Sequence, residues 1–104
     1  MSFQRFWSDL QASLKPGDTI ENWTAAKGYL GDEFEITAVS ANGVEVDAPK
    51  AQNLQYVPKR DFEVTFDNWD AYCSGKLQRQ ALRDMTRFSK YTISIAKHLE
   101  GSLT

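Results

Sequence analysis

The side chains best suited to chemistry in this sequence are His98, Cys73 and the carboxylates of Glu63, Asp67 and Asp70. His98 and Cys73 are the one histidine and the one cysteine of the chain. A catalytic triad needs a histidine between a nucleophile and an orienting acid, and a structural zinc site needs about four Cys or His ligands. The sequence supplies neither set. We therefore predict no catalytic residue and no metal site, with His98 beside the last carbonyls of a helix and Cys73 as an apolar filler.

The three carboxylates lie at helical spacing after Pro58, on one face of a predicted helix. Clustered carboxylates can bind a hard cation or act as a general base. No histidine or cysteine accompanies them on that face, so we interpret them as a solvated acidic surface. The six glycines match no nucleotide-binding fingerprint, and we predict no cofactor.

Large aromatic side chains are numerous: six Phe, four Tyr and three Trp. Ligand sites favour aromatic walls, so a subset of these rings can line a pocket together with the histidine. The candidate pocket residues are Trp7, Trp23, Trp69, Tyr72 and His98. The alternative is that the rings form the hydrophobic core, which is their commoner role.

Basic residues are concentrated near the C-terminus. Residues 73–104 carry six Lys or Arg against two acids, whereas residues 1–72 carry six against twelve. The basic residues that follow helical spacing are Lys76, Arg79, Arg83, Arg87 and Lys90. On a continuous helix they form a ridge that can track phosphates, which makes nucleic acid a candidate partner. A solvated helix face is the alternative, and a sequence pI near 5.3 is low for a dedicated nucleic-acid binder.

The same segment contains a pattern of apolar and hydroxyl residues that is typical of a DNA-binding motif. Its matching positions are Leu82, Ser89, Ile93 and Leu99. In these residues, segment 81–99 resembles the helix-turn-helix of bacterial regulators and chromosome-partition proteins, differing at Arg83 and Arg87. The resemblance implies a second helix that places side chains in the major groove. The other interpretation is an amphipathic helical pair packed on the sheet.

A second resemblance extends over residues 18–99. It is carried by Pro58-Lys59, Asp61-Phe62, Trp69, Tyr72, Gly75 and Arg87-Phe88-Ser89-Lys90-Tyr91. In these residues the chain resembles the short orphan proteins of bacterial mobile (integron-type) gene cassettes. The resemblance implies a bacterial accessory protein and no particular activity.

Length and composition predict a single domain, residues 1–104. Apolar residues make up 41% and charged residues 25%, as in ordinary globular domains. One cysteine cannot form an internal disulfide. No apolar run approaches the ~20 residues of a membrane-spanning helix, and the first residues lack the pattern of a signal peptide. We therefore expect a cytoplasmic protein that does not enter a membrane.

The elements that must position these residues form an α+β fold. Apolar side chains at helical spacing predict an N-terminal helix with Ser2 as its N-cap, ended by Lys15-Pro16-Gly17. Period-two patterning then predicts an antiparallel meander of three or four strands, with weaker strands at Thr19–Trp23 and Asn53–Val57. Its solvated face carries acids.

The central hairpin joins residues 34–38 to residues 44–48. We predict a three-residue loop, Ala41-Asn42-Gly43, which places Ala38 opposite Val46 and gives Gly43 a positive φ. The reason is register: this loop brings the apolar faces of both strands together.

Two or three helices are predicted after the sheet. The first runs from Pro58 to Ser74-Gly75. Residues 77–99 form one helix or two, and Ser89 as an N-cap favours two. We predict a non-catalytic interaction or regulatory module with an unidentified protein partner or self-association. The alternatives are a nucleic-acid binder using the basic helices and a small-molecule binder or enzyme using the aromatic pocket.

Overall fold

The computed structural model describes residues 2–87 and 89–102, without the side chains of Ser89 and Ser102. It is an α+β fold in which a helix precedes a four-stranded antiparallel sheet and further helices follow. The helices are α1 (Phe3–Ser13), α2 (Lys59–Asp67), α3 (Trp69–Cys73), α4 (Arg79–Met85), α5 (Ser89–His98) and a 3₁₀ turn (Glu100–Ser102). The strands, in spatial order, are β1 (Thr19–Thr24), β2 (Gly28–Val39), β3 (Gly43–Asp47) and β4 (Gln55–Pro58).

Helix α1 begins and ends as the sequence predicts. The Ser2 side chain accepts a hydrogen bond from the N–H of Arg5 at 3.2 Å, which satisfies a donor that the first helical turn leaves free. The helix ends at Ser13, and Gly17 adopts a φ of 97°, which lets the chain turn into β1. The apolar face of α1 is buried.

The outer face of the sheet is acidic, as predicted. Register places Glu21 opposite Glu33 and Glu35 opposite Asp47, and all four side chains are exposed. Glu45 is half-buried instead, and its carboxylate accepts a hydrogen bond from the Thr37 hydroxyl at 2.8 Å.

The predicted register of the central hairpin is wrong. Ala38 lies opposite Glu45, and the Ser40 N–H donates to the Gly43 carbonyl at 2.9 Å, so the tight turn is centred on Ala41 and Asn42. Gly43 does not adopt a positive φ. A register shift between Ile36 and Ala38 places Ile36 opposite Val46. The apolar side chains of the two strands therefore still lie on the same face of the sheet.

Gly43 has a different role from the one predicted. It pairs with Pro58 of β4, and a Cβ atom at this position would lie 2.6 Å from both the Val57 carbonyl oxygen and the Tyr56 ring. The glycine is therefore required by close approach of the neighbouring strand and not by backbone conformation.

The helix predicted from Pro58 to Gly75 is broken at Asn68 into α2 and α3. The Asn68 side-chain amide donates to the Val64 carbonyl at 2.8 Å, and its backbone N–H approaches the Val64 and Thr65 carbonyls. An asparagine that binds helix carbonyls in this way competes with continued helix formation. Residues 77–99 contain two helices, as predicted, and α5 begins at Ser89. The predicted capping side chain of Ser89 lies outside the described residues, as does Phe88.

Two hydrophobic clusters stabilise this arrangement. The first joins the inner face of the sheet to α1, α2 and α5, and its largest fully buried members include Phe6, Phe34 and Phe62. The second consists of Trp69, Tyr72, Leu82, Ile93 and Ala96, with Trp23, Val64 and Leu77 packed against it. In the described part of the chain, no helix combines the length and apolarity needed to cross a bilayer.

Candidate binding cleft

A cleft of about 440 Å³ opens between the β1–β2 turn and the helices that follow the sheet. One wall is formed by residues 24–27 and Leu30, and the other by residues 72–75 and 77–79. Both walls come from short connections or element ends. The cleft is therefore assembled from segments that are far apart in sequence.

One hydrogen bond joins the two walls directly. The Tyr72 hydroxyl accepts from the N–H of Ala25 at 3.0 Å, and the tyrosine side chain is itself buried. Behind this bond, the rings of Trp23, Trp69 and Tyr72 contact one another with centroid separations of 5.9–6.3 Å. This aromatic contact fixes the position of the β1–β2 turn against α3.

Most of the cleft surface is apolar. Ala25, Ala26, Leu30 and Leu77 contribute carbon surface, and Tyr72 contributes its ring. The described lining contains Lys27 and Arg79 but no aspartate or glutamate. The cleft thus offers apolar contact together with positive charge.

Arg79 occupies an unusual environment for a basic side chain. It is half-buried, and its Nε atom is buried with no hydrogen-bond partner among the described residues. A guanidinium N–H removed from water without an acceptor is unfavourable, because the desolvation is not compensated.

Cys73 lies in the cleft wall with its side chain exposed. Partial burial raises the pKa of its thiol, and the Glu100 carboxylate raises the pKa further, whereas Lys97 opposes this effect. Lys97 donates to Glu100 at 2.8 Å and also lies 4.9 Å from the centre of the Trp23 ring. The raised pKa keeps Cys73 in its less nucleophilic thiol form at neutral pH.

The five candidate pocket residues separate into three places. Trp23, Trp69 and Tyr72 meet at the cleft, and of these Tyr72 forms part of its lining. Trp7 belongs to the other cluster, where it packs against Phe62. His98 is exposed and borders a different depression of about 260 Å³.

The candidate phosphate-binding residues are also divided between elements. Lys76, Arg83, Arg87 and Lys90 are exposed, whereas Arg79 lines the cleft. A break between Met85 and Ser89 separates α4 from α5, so the residues do not follow one continuous helix. Residues 92–96 of α5, the second helix of the predicted DNA-binding motif, are buried.

The acidic residues of α2 and α3 form no cation site in the described structure. Glu63, Asp67 and Asp70 are all exposed. No group of His, Cys, Asp and Glu suitable for holding a metal ion occurs among residues 2–87 and 89–102.

Most residues of the cleft, notably Lys27, Leu30 and Leu77, were not predicted from the sequence. Two local signals were present. Gly28 follows Lys27 and adopts a φ of 72°, a conformation that favours glycine. Ser74-Gly75 was correctly predicted to end a helix, and Gly75 adopts a φ of 83°. Neither signal shows that the two turns meet.

Comparisons of this chain with models of protein families, with curated proteins and with solved structures find no match. The resemblances to orphan cassette proteins and to a helix-turn-helix stay predictions.

Proposed function

We propose that this chain is a non-catalytic interaction module that binds a ligand in the cleft between residues 24–30 and 72–79. The observation that carries the proposal is the cleft itself: about 440 Å³, with largely apolar walls and a few polar groups at defined positions. Small-molecule sites in proteins have this size and composition.

The contacts between the two walls of the cleft support binding. The Ala25–Tyr72 hydrogen bond and the contacts among Trp23, Trp69 and Tyr72 hold the two walls together without a ligand. A preformed site loses little conformational freedom when it is occupied, so more of the contact energy contributes to affinity.

The positions of the nucleophilic and titratable groups support a non-catalytic role. Cys73 lies in the cleft, but its raised pKa disfavours the thiolate that would attack a substrate. His98 borders a separate depression, so it is not placed to act as a base for Cys73.

The proposal is tested by titrating the ¹⁵N-labelled protein with a library of small fragments and recording amide chemical shifts. We expect the perturbed amides to cluster in residues 24–30 and 72–79. Ala26→Phe places a ring in the cleft and should reduce these perturbations. Ala12→Phe, at an exposed position on α1, is the matched control and should leave them unchanged.

His98→Ala should also leave fragment binding and the fold intact, since His98 lies outside the cleft. Perturbations spread over the acidic face of the sheet, or fragment binding that Ala26→Phe does not reduce, would contradict the proposal.

A further inference from the structure

We infer that the ligand of this cleft is a small organic carboxylate with an apolar body, held by Arg79 and by Lys27 on the opposite wall. The inference rests on the function proposed above. It adds the chemical class of the ligand.

Arg79 supplies the first argument. The residue lines the cleft, and its guanidinium forms no ion pair among the described residues. A guanidinium presents N–H groups in a planar fork that matches the two oxygens of a carboxylate. Charged hydrogen bonds of this kind contribute about 1.5–3 kcal/mol.

The remaining charge in the lining supplies the second argument. Lys27 belongs to the β1–β2 turn, whereas Arg79 begins α4, so the two cations come from the two walls. The described lining itself contains no carboxylate, and the two acids that raise the pKa of Cys73, Glu100 and Asp70, lie outside it. This distribution complements an anion and disfavours a cationic ligand.

The apolar walls and the volume define the rest of the ligand. Leu30, Leu77 and the Tyr72 ring provide surface for a hydrocarbon or aromatic body. A cleft of about 440 Å³ accommodates a small molecule and is too small to enclose a folded partner. An inorganic anion such as phosphate would leave this apolar surface in contact with water.

The test uses the exposed thiol of Cys73 as a reporter, because it is the one cysteine of the chain and lies in the cleft wall. The rate of its modification by the neutral reagent N-ethylmaleimide is measured by mass spectrometry at increasing octanoate or octan-1-ol. We expect octanoate to slow the reaction with a Kd about 10- to 100-fold lower than that of octanol, the ratio that one charged hydrogen bond gives.

Arg79→Gln should bring the octanoate Kd close to that of octanol. Arg83→Gln, at an exposed position on the same helix, is the matched control and should leave the Kd unchanged. Lys27→Gln, in an exposed turn, should weaken octanoate binding several-fold, and it tests the inference even where Arg79→Gln fails to fold.

The outcomes separate the two proposals. Equal protection by octanoate and octanol would overturn the carboxylate inference and leave the cleft as a binding site. An octanoate Kd that neither Arg79→Gln nor Lys27→Gln changes would also overturn the inference. Absence of protection by either compound, together with absence of fragment binding, would overturn both proposals.

Discussion

The hydroxyl of Tyr72 accepts a hydrogen bond from the backbone N–H of Ala25 at 3.0 Å, across 47 residues of sequence. It is the direct link between the β1–β2 turn and α3, and therefore between the two walls of the cleft. Tyr72→Phe removes this link while retaining the buried ring. We expect the free energy of unfolding to fall by about 1 kcal/mol, the usual net contribution of one hydrogen bond, as measured by urea denaturation.

The cleft should also lose affinity in this variant, since its walls are held less firmly. Tyr29→Phe is the control, because the Tyr29 side chain is 58% exposed and lies outside the cleft lining. Equal stability of Tyr72→Phe and Tyr29→Phe would show that the link across the cleft is not important for the fold.

Ser94 connects α5 to the edge strand β1. Its Oγ accepts a hydrogen bond from the N–H of Trp23 at 3.1 Å and lies 3.0 Å from the Lys90 carbonyl, and the side chain is 1% exposed. Ser94→Ala leaves the Trp23 N–H without this acceptor in a partly buried place. We expect a loss of about 1–3 kcal/mol in the free energy of unfolding.

The control for this prediction is Ser8→Ala, at an exposed position in α1, which should change stability by less than about 0.5 kcal/mol. If the two variants unfold at the same denaturant concentration, the Ser94–Trp23 bond contributes nothing measurable.

Gly43→Ala should destabilise the sheet. The new Cβ would lie 2.6 Å from the Val57 carbonyl oxygen, which belongs to the backbone of β4 and cannot rotate away. We expect a loss of about 1–3 kcal/mol, typical of overpacking, and a fall in Tm of at least ~4 °C. Gly101→Ala is the matched control, because no heavy atom among the described residues lies within 4 Å of its added Cβ. Similar melting temperatures for the two variants would contradict the close approach of β3 and β4.

The sequence was sufficient to predict the order of helices and strands, but not the break at Asn68, which gives the described chain four α-helices after the sheet instead of two or three, nor the register of the central hairpin. Helix α1, its Ser2 cap and the division near Ser89 follow from local periodicity and capping, which depend on neighbouring residues alone. The hairpin register depends on an irregularity near Thr37, and nothing in the local pattern requires it. The predicted three-residue loop was expected to align the apolar faces, but a register shift within β2 aligns them instead.

The cleft was less predictable, for a related physical reason. Ala25, Ala26 and Gly75 have no functional side-chain chemistry, so their types give no sign of a site. They form a cleft because Tyr72 binds the turn at Ala25, and this is a tertiary contact between distant segments. Of the predicted pocket residues, Trp23, Trp69 and Tyr72 meet behind the cleft and beside it, whereas Trp7 and His98 lie elsewhere.

Cys73 provides a prediction of pH dependence. Partial burial raises the pKa of its thiol, and the charge of Glu100 raises it further. The folded state therefore holds the thiol proton of Cys73 more tightly than the unfolded chain does. Its contribution to the free energy of unfolding is complete below the thiol pKa of the unfolded chain. This contribution is lost as pH rises through the thiol pKa of the folded state.

Glu100→Gln should lower the thiol pKa of Cys73 in the folded state. It should increase the rate of modification by N-ethylmaleimide at pH 8 by on the order of twofold, since the thiolate is the reactive species.

The control for the pH prediction is Glu63→Gln, an exposed carboxylate outside the set of groups that shift Cys73. It should leave the rate profile unchanged. A profile that shifts equally in both variants would attribute the effect to net charge and not to Glu100.

The basic residues outside the cleft provide the last prediction. Lys76, Arg83 and Lys90 are exposed on separate elements, and residues 92–96 of α5 are buried, so few side chains of that helix are free to enter a major groove. We therefore expect the binding of duplex DNA at physiological salt to be weak or absent, with a Kd no lower than about 10⁻⁶ M, no sequence preference and a steep loss of affinity as salt rises. Lys76→Glu combined with Arg83→Glu should abolish this binding in an anisotropy titration and leave the fold intact, because exposed substitutions change stability little. Nanomolar, sequence-selective binding would instead support the helix-turn-helix resemblance and make nucleic acid the principal partner.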